Sequence, residues 1–147
     1  MSLMIALGIA WLAADIADTV QAELKKFEGE WRIEKIVTAD GEQTPDAMPE
    51  QLLTFVGKTW SFGNILAGEI TSLDPRAMPS LIDMIGRPKN NADNKQEPIL
   101  VEGIYRLDGD QLLLHVHVGS DRNRPTNFDK PTAANTALLT LKRVKSN

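Results

Sequence analysis

The stretch that most constrains the fold is residues 98–118, PILVEGIYRLDGDQLLLHVHV, which has the pattern of two β-strands joined by a tight turn. Asp108-Gly109 is a strong hairpin signal, because a two-residue type I′ turn needs positive φ at both central positions. If these two residues form the loop, the register follows, and Glu102 lies opposite His115. The sequence therefore predicts an antiparallel hairpin as the centre of a larger sheet.

Alternation along the two strands separates their side chains into two faces. One face is almost wholly apolar: Ile99, Val101, Tyr105, Leu107, Leu112, Leu114, Val116 and Val118. The other is mixed: Leu100, Glu102, Ile104, Arg106, Gln111, Leu113, His115 and His117. A slip of one residue would mix the two sets, so the sorting supports the register. We expect the first face in the core, with Tyr105 inside, and the second face at least partly solvated.

Further short strands surround the hairpin. They are predicted at residues 30–39, 51–56, 59–62, 65–73 and 136–144, with 80–85 as a strand or a helical turn. Two long loops cover residues 86–98, which are rich in Asn, and residues 119–135. About eight short strands separated by turns are typical of an all-β barrel or sandwich. No helical pattern after residue 28 is long enough for parallel crossovers, and a barrel would remove the exposed edges of an antiparallel sheet.

The N-terminal segment, residues 1–28, has two interpretations. Its apolar run at residues 3–14 is too short to span a bilayer comfortably but suits a secretory signal, with a cleavage site near residues 20–22 and no basic residue before the run. Apolar residues three or four apart instead predict an amphipathic helix that Gly29 can end: Ile5, Ile9, Leu12, Ile16, Val20, Leu24 and Phe27. Both interpretations leave residues 29–147 as one domain.

Composition narrows the classes of function. The 147 residues are 42% hydrophobic and 24% charged, as expected of a globular chain with its own core. The net charge of −4 and the absence of a long basic run argue against nucleic-acid binding. The chain has no cysteine, which excludes disulfides, thiol nucleophiles and thiolate metal sites. We find no Ser-His-Asp arrangement and no Gly-rich phosphate loop.

Several motifs resemble one family when taken together in order. They are Gly29-Glu30-Trp31, Leu53-Thr54-Phe55 with Gly57, GEITSLDP at 68–75, Leu81-Ile82-Asp83, GIYRLDGDQL at 103–112, RPTNF at 124–128 and LTLKR at 139–143. The set is similar to a lipocalin-like domain family of planctomycete bacteria and spans residues 24–145. The motifs GIYRLDGD and RPTNF are its most specific parts.

This resemblance implies a single antiparallel up-and-down eight-stranded barrel, often exported behind a signal peptide. In lipocalins the Trp of the first strand closes the barrel floor and packs against a basic residue near the C-terminal end. Trp31 and Arg143 hold the matching positions. The family has no established activity, so the resemblance implies no catalytic residues. The Asn-rich insertion at 86–98 and the LLLHVHV strand depart from the family pattern and leave any shared ligand open.

The two histidines suggest a metal site. His115 and His117 lie two residues apart on one strand face, and Glu102 is expected opposite His115. Two imidazoles and a carboxylate can bind Zn²⁺ or another divalent ion. The alternative is a solvated outer face with an ordinary cross-strand pair, which the lack of a fourth protein ligand favours.

Aromatic side chains and one arginine are the candidates for binding an organic ligand. Tyr105, Trp60, Phe55 and Phe62 can line a pocket for an apolar molecule, or they can simply fill a small barrel, since eight strands leave room for either. Arg124, in the second long loop, can clamp a carboxylate or phosphate at a rim, or it can satisfy loop carbonyls or a nearby acid.

The sequence therefore predicts a non-enzymatic binding protein for a small apolar ligand or a partner in the cell envelope, without a cofactor. The alternatives are a structural or protein-interaction module and the metal site. We expect no nucleic-acid partner and no integral membrane span, and the oligomeric state stays open. The location would be periplasmic or secreted if residues 1–22 are a signal, and cytoplasmic otherwise.

Overall fold

The computed structural model describes residues 17–44, 52–89 and 97–145. Within them, residues 17–27 are helical (α1) and nine segments are strands. The strands are β1 (Gly29–Thr38), β2 (Gly41–Gln43), β3 (Leu52–Val56), β4 (Thr59–Phe62), β5 (Leu66–Asp74), β6 (Ser80–Pro88), β7 (Ile99–Asp108), β8 (Gln111–Val118) and β9 (Thr136–Arg143). The predicted strands are present, and the segment left open at 80–85 is a strand that continues to Pro88.

The strands form a closed antiparallel barrel, as predicted. Each strand from β3 to β8 pairs with the next one along the chain, and β1 closes the ring by pairing with both β3 and β9. The first half of β1, Gly29–Arg32, pairs with β3, whereas the short β2 pairs with its second half. Eight strands therefore make the barrel, and β2 is an additional strand beside β1.

The central hairpin is present, but the predicted turn is wrong by one residue. Asp108 pairs with Gln111, so Gly109 and Asp110 form the loop. Gly109 has a φ of 60° and Asp110 is not among the residues with positive φ, which is the pattern of a type II′ turn with glycine in its first central position. The partners consequently shift by two residues, and Glu102 lies opposite His117 instead of His115. Because a shift of two preserves the faces, the predicted sorting still holds.

The apolar face of the hairpin lies inside the barrel. Buried side chains from the barrel strands form one cluster in the interior, in which Trp31, Phe55, Ile82, Leu112 and Leu141 are fully buried. Bulges interrupt the register of β1 between Ile33 and Lys35 and of β5 between Ile70 and Ser72. Each bulge bends a strand that must curve around this small core.

Helix α1 closes one end of the barrel. Leu24 and Phe27 are buried in the interior cluster and Val20 packs against it, so this part of the predicted apolar stripe faces the core. The ring of Phe27 meets Phe55 and Tyr105 edge-on, with ring centroids 5.2 Å and 5.0 Å away. The residues of the predicted stripe before Val20 lie outside the described residues. No helix among the described residues is long and apolar enough to cross a membrane.

The two histidines of the mixed face are buried, which corrects the prediction that they lie on a solvated surface, whereas Leu100, Arg106 and Gln111 on the same face are exposed, as a partly solvated face requires. His115 and His117 are only 5% and 2% exposed, and Ile104 is buried between the strands and the chain that follows. Residues 119–135, which we call the covering loop, fold back across the outside of β7 and β8. The prediction for the histidines was wrong because alternation along a hairpin shows only on which side of the sheet a side chain lies. It does not show whether a loop from elsewhere in the chain covers that side.

Candidate functional site

A row of polar side chains crosses four strands beneath the covering loop. Asp83 on β6 pairs with Glu102 on β7, Glu102 with His117 on β8, and His117 with Thr136 on β9. Directly paired residues share a face, so all four side chains emerge from the outside of the barrel in one line. Glu102 and His117 were both singled out from the sequence as metal ligands, but His115 was expected opposite Glu102.

Arg124 of the covering loop binds the acidic end of this row. Its Nη2 lies 2.6 Å from Asp83 Oδ1 and 3.5 Å from Glu102 Oε2. Its Nη1 donates to the backbone carbonyls of Gly103 at 2.8 Å and Ile82 at 3.3 Å. Of the two interpretations of Arg124, the structure therefore shows the one in which it satisfies nearby acids and carbonyls. It fastens the loop to the barrel and is not at a ligand-binding rim.

His117 fastens the other end of the loop. Its Nε2 lies 2.6 Å from Asp121 Oδ1 and its Nδ1 lies 2.9 Å from Thr136 Oγ1. The Thr136 hydroxyl also donates to the carbonyl of Ala134 at 3.3 Å. The hydrogen bond from His117 holds the pKa of the Asp121 carboxyl below its ordinary value.

His115 is also buried, and one of its ring nitrogens has no hydrogen-bond partner among the described residues. Its Nδ1 is 2.5 Å from the carbonyl oxygen of Asn127, and since a carbonyl only accepts, Nδ1 carries the proton. Its Nε2 is buried without a hydrogen-bond partner among the described residues. His115 lies beside a concavity of about 290 Å³ that is lined almost entirely by the covering loop.

The predicted metal site does not assemble. Among the described residues, no group of three or more His, Cys, Asp and Glu side chains could hold a metal ion. Glu102 is engaged by Arg124, and His117 has partners at both ring nitrogens. The one-residue difference in the turn moves Glu102 away from the position opposite His115, which was the basis of the prediction.

Three of the predicted ligand-lining aromatics fill the barrel. Phe55 is fully buried and Phe62 packs against the interior cluster. Trp60 lies over Gly86, and its Nε1 donates to the carbonyls of Ile85 at 3.1 Å and Glu69 at 3.3 Å. All three belong to the interior cluster or pack against it, and Trp60 also lines a groove of about 640 Å³ together with Val56 and Glu69.

Trp31 and Arg143 meet at the end of the barrel that α1 closes, as the family resemblance implies. The Arg143 guanidinium carbon lies 4.3 Å from the centroid of the Trp31 ring. Arg143 also donates to the carbonyls of Glu28 at 2.5 Å and Lys26 at 2.6 Å, while Trp31 Nε1 donates to the carbonyl of Phe27 at 2.8 Å. The pair therefore attaches α1 to the barrel.

Tyr105 borders another concavity, as Trp60 and Arg124 border theirs. We call this concavity the Tyr105 pocket; its volume is about 750 Å³ and it lies at the rim of the barrel, next to α1. Its walls come from α1, the β5–β6 connection, β7 and the covering loop: Glu23, Pro75, Ala77–Ser80, Tyr105–Leu107 and Thr126–Asp129. The rim is only partly apolar: Met78 is 97% exposed, and the charged Arg106 is stacked over the Phe128 ring at 4.7 Å.

The polar groups of the Tyr105 pocket are unusual for a barrel core. Tyr105 is 3% exposed, and its hydroxyl has no hydrogen-bond partner of good geometry among the described residues. Burial raises the pKa of the Tyr105 phenol, and the nearby negative charges of Glu23 and Asp74 raise it further. Tyr105 therefore stays protonated at neutral pH.

Glu23 and Ser80 were not identified from the sequence. Ser80 pairs with Tyr105 across β6 and β7 but lies in the segment whose structure was left open. Glu23 falls off the apolar stripe of α1, yet it precedes Phe27 by four residues, and residues four apart on a helix are neighbours. That spacing was the available signal, and it becomes informative only once Phe27 is known to contact Tyr105.

Comparison of the chain with family models, with curated proteins and with solved structures finds no match.

Proposed function

We propose that this chain is a non-enzymatic binding protein of lipocalin-like type, and that it holds a small ligand in the Tyr105 pocket. The observation that carries the proposal is the Tyr105 hydroxyl, a buried polar group that has no hydrogen bond of good geometry among the described residues, although Ser80 and Glu23 lie near it, beside a concavity with both apolar and polar walls. A buried hydroxyl that lacks a hydrogen bond costs stability, about 1–3 kcal/mol, and such groups in native proteins call for an explanation. A ligand that supplies the missing partner is that explanation.

The size and lining of the pocket support a small organic molecule. Its volume of about 750 Å³ falls within the range of ligand sites, and its rim combines apolar side chains with a few polar groups. Aromatic side chains fill the barrel interior, where an apolar ligand would otherwise lie. The pocket at the rim is therefore the better candidate for the binding site. The apolar body would contact Met78, Pro79 and Phe128, which line the pocket.

The proposed relationship to the lipocalin-like family is supported by where its motifs lie. Gly29-Glu30-Trp31 opens β1, and GIYRLDGDQL spans the hairpin turn between β7 and β8. The RPTNF motif supplies Arg124, which binds the barrel, and Phe128, which lines the pocket. The motifs that carry the resemblance thus coincide with the closure of the barrel and with the site.

The experiment is a fluorescence titration with N-phenyl-1-naphthylamine, a neutral apolar probe. We expect saturable binding of one probe per chain, weakened several-fold by Phe128→Ala, which removes an apolar wall. Val56→Ala is the matched control, because Val56 is exposed and lines a different surface groove. Absence of binding, or a loss with Val56→Ala and none with Phe128→Ala, would contradict the proposal.

A further inference from the structure

The Tyr105 pocket has an acidic, acceptor-rich corner next to its partly apolar rim. Three side chains meet there: Tyr105 and Ser80, paired across β6 and β7, and Glu23 on α1. Ser80 Oγ donates its proton to the carbonyl of Pro75 at 3.2 Å, so towards any other group this oxygen can only accept a hydrogen bond. Glu23 is an acceptor when ionised, and the Tyr105 oxygen can accept as well. The corner thus offers three hydrogen-bond acceptors to a single donor group of a ligand.

The charge of the corner is negative and poorly neutralised. The Glu23 side chain is 14% exposed, and its cationic neighbour among the described residues is Lys26, 3.8 Å away on a side chain that is 67% exposed. Such an exposed contact contributes little. Arg106 lines the same pocket but is stacked over Phe128 on the opposite wall. A carboxylate that is largely removed from water favours a cationic partner.

We propose that the ligand of the Tyr105 pocket is a primary amine with an apolar body, and that its ammonium group is held by Glu23, Tyr105 and Ser80. This inference rests on the proposed function and specifies the chemical class of its ligand. An ammonium has three N–H donors and no acceptor, which matches three convergent acceptors. Met78, Pro79 and Phe128 then contact the body. A carboxylate would be repelled by Glu23, and an alcohol would satisfy one of the acceptors and leave the charge of Glu23 without a partner.

The test compares three probes of equal chain length by isothermal titration calorimetry at pH 7: n-octylamine, n-octanol and n-octanoate, with the full-length chain. We expect n-octylamine to bind at least tenfold more tightly than n-octanol, since a hydrogen bond to a charged group contributes about 1.5–3 kcal/mol and tenfold corresponds to about 1.4 kcal/mol. n-Octanoate should bind most weakly.

Two variants locate the ammonium. Glu23→Gln should lower the n-octylamine affinity about tenfold or more while leaving n-octanol unchanged, because it removes the charge and keeps the shape. Tyr105→Phe should lower the n-octylamine affinity several-fold, because it removes one hydrogen-bond acceptor. Glu69→Gln is the matched control, since Glu69 is an exposed acid on the outside of β5. Glu23 lies on the surface helix, so Glu23→Gln provides the test even if Tyr105→Phe impairs folding.

The outcomes separate the two proposals. Equal affinities for n-octylamine and n-octanol, or an n-octylamine affinity unaffected by Glu23→Gln, would overturn the amine and leave the binding function intact. Failure of all three probes together with the naphthylamine probe would overturn both. Selective binding of n-octylamine that depends on Glu23 and not on Glu69 would establish the amine site.

Discussion

Arg143 connects more parts of the molecule than its place at the end of the last strand suggests. Its guanidinium stacks on Trp31, donates to two carbonyls at the end of α1 and pairs with Asp110 in the hairpin turn at 3.2 Å. A planar fork with five donors can serve all these partners at once, whereas an ammonium cannot. The side chain thus joins the helix, the first strand and the central turn.

Arg143→Ala should destabilise the fold by about 2–3 kcal/mol, because the carbonyls lose charge-assisted hydrogen bonds and Trp31 loses its stacked cation. Arg143→Lys should fall between this variant and the native chain. Urea denaturation followed by circular dichroism measures both. Lys142→Ala, at an exposed neighbouring position, is the control and should change stability by no more than about 0.5 kcal/mol. A similarly small effect of Arg143→Ala would refute this role.

Gly86 shows how one absent side chain makes room for another. A Cβ at this position would lie 2.7 Å from Cζ2 of Trp60, so the indole occupies the space above the glycine. At Gly68, which pairs with Gly86, a Cβ would instead collide with the backbone carbonyl of Ile85. The two glycines are therefore required for different reasons, one by a side chain and the other by the backbone.

This difference predicts a selective rescue. Gly86→Ala should cost about 1–3 kcal/mol through overpacking, and combining it with Trp60→Phe should cost less than the sum of the single changes, because the smaller ring vacates the contact. Gly68→Ala should show no such rescue by Trp60→Phe. Thermal or urea unfolding of the single and double variants gives the interaction energies. Additive costs for Gly86→Ala and Trp60→Phe would show that the indole does not set the requirement.

Among the larger elements, the covering loop is the least expected. It has no regular structure, yet Arg124 and Asp121 fix it to the outer face of β6–β8 at two separate places. Its polar contacts replace the water that would otherwise solvate Glu102 and His117. The loop also supplies Phe128 to the Tyr105 pocket.

The Asp121 contact should depend on pH in the acidic range. The folded-state pKa of Asp121 is lowered from its ordinary value of 3.8, so the contribution of its carboxylate is present above that pH and is lost as the pH falls through the lowered folded-state pKa. Asp121→Asn should lose the same contribution at every pH, so its stability should approach that of the native chain in acid. Chemical denaturation between pH 2 and pH 7 measures the difference. A difference that does not shrink at low pH would contradict the assignment.

Side chains fill the interior of the β-barrel, and helix α1 packs over one end of it. Interior aromatics and aliphatics occupy the middle, and α1 adds Leu24 and Phe27 to the same cluster. The described part of the helix, residues 17–27, therefore contributes to the core of the barrel. The Tyr105 pocket exists because helix, barrel and covering loop meet at this rim.

Phe27→Ala should consequently destabilise the barrel by about 3–5 kcal/mol, the usual range for removing a buried Phe, because Phe55 and Tyr105 lose their ring partner. Lys25→Ala, at an exposed position in the same helix, is the control. Urea denaturation followed by circular dichroism measures the change. An unaltered midpoint for Phe27→Ala would mean that α1 is dispensable for the barrel.

The sequence alone determined the strands, their antiparallel order and the core face of the hairpin. These follow from local physics, since alternation, turn residues and short connections act between neighbours in the chain. The contact of Trp31 with Arg143 was available from the family resemblance. The exact position of the hairpin turn could not be predicted. Both Asp108-Gly109 and Gly109-Asp110 are suitable two-residue loops, and both leave the same side chains on each face of the sheet.

The tertiary structure decided everything that depends on residues far apart in the chain. Whether His115 and His117 are exposed depends on a loop that returns over them, and whether Glu102 serves a histidine or an arginine depends on register and on Arg124. Glu23 and Ser80 lie 57 positions apart, and they meet at Tyr105 only because the barrel closes and α1 packs over its end. Local patterns specify which face of a strand is apolar, and only the closed fold specifies which polar groups are brought together.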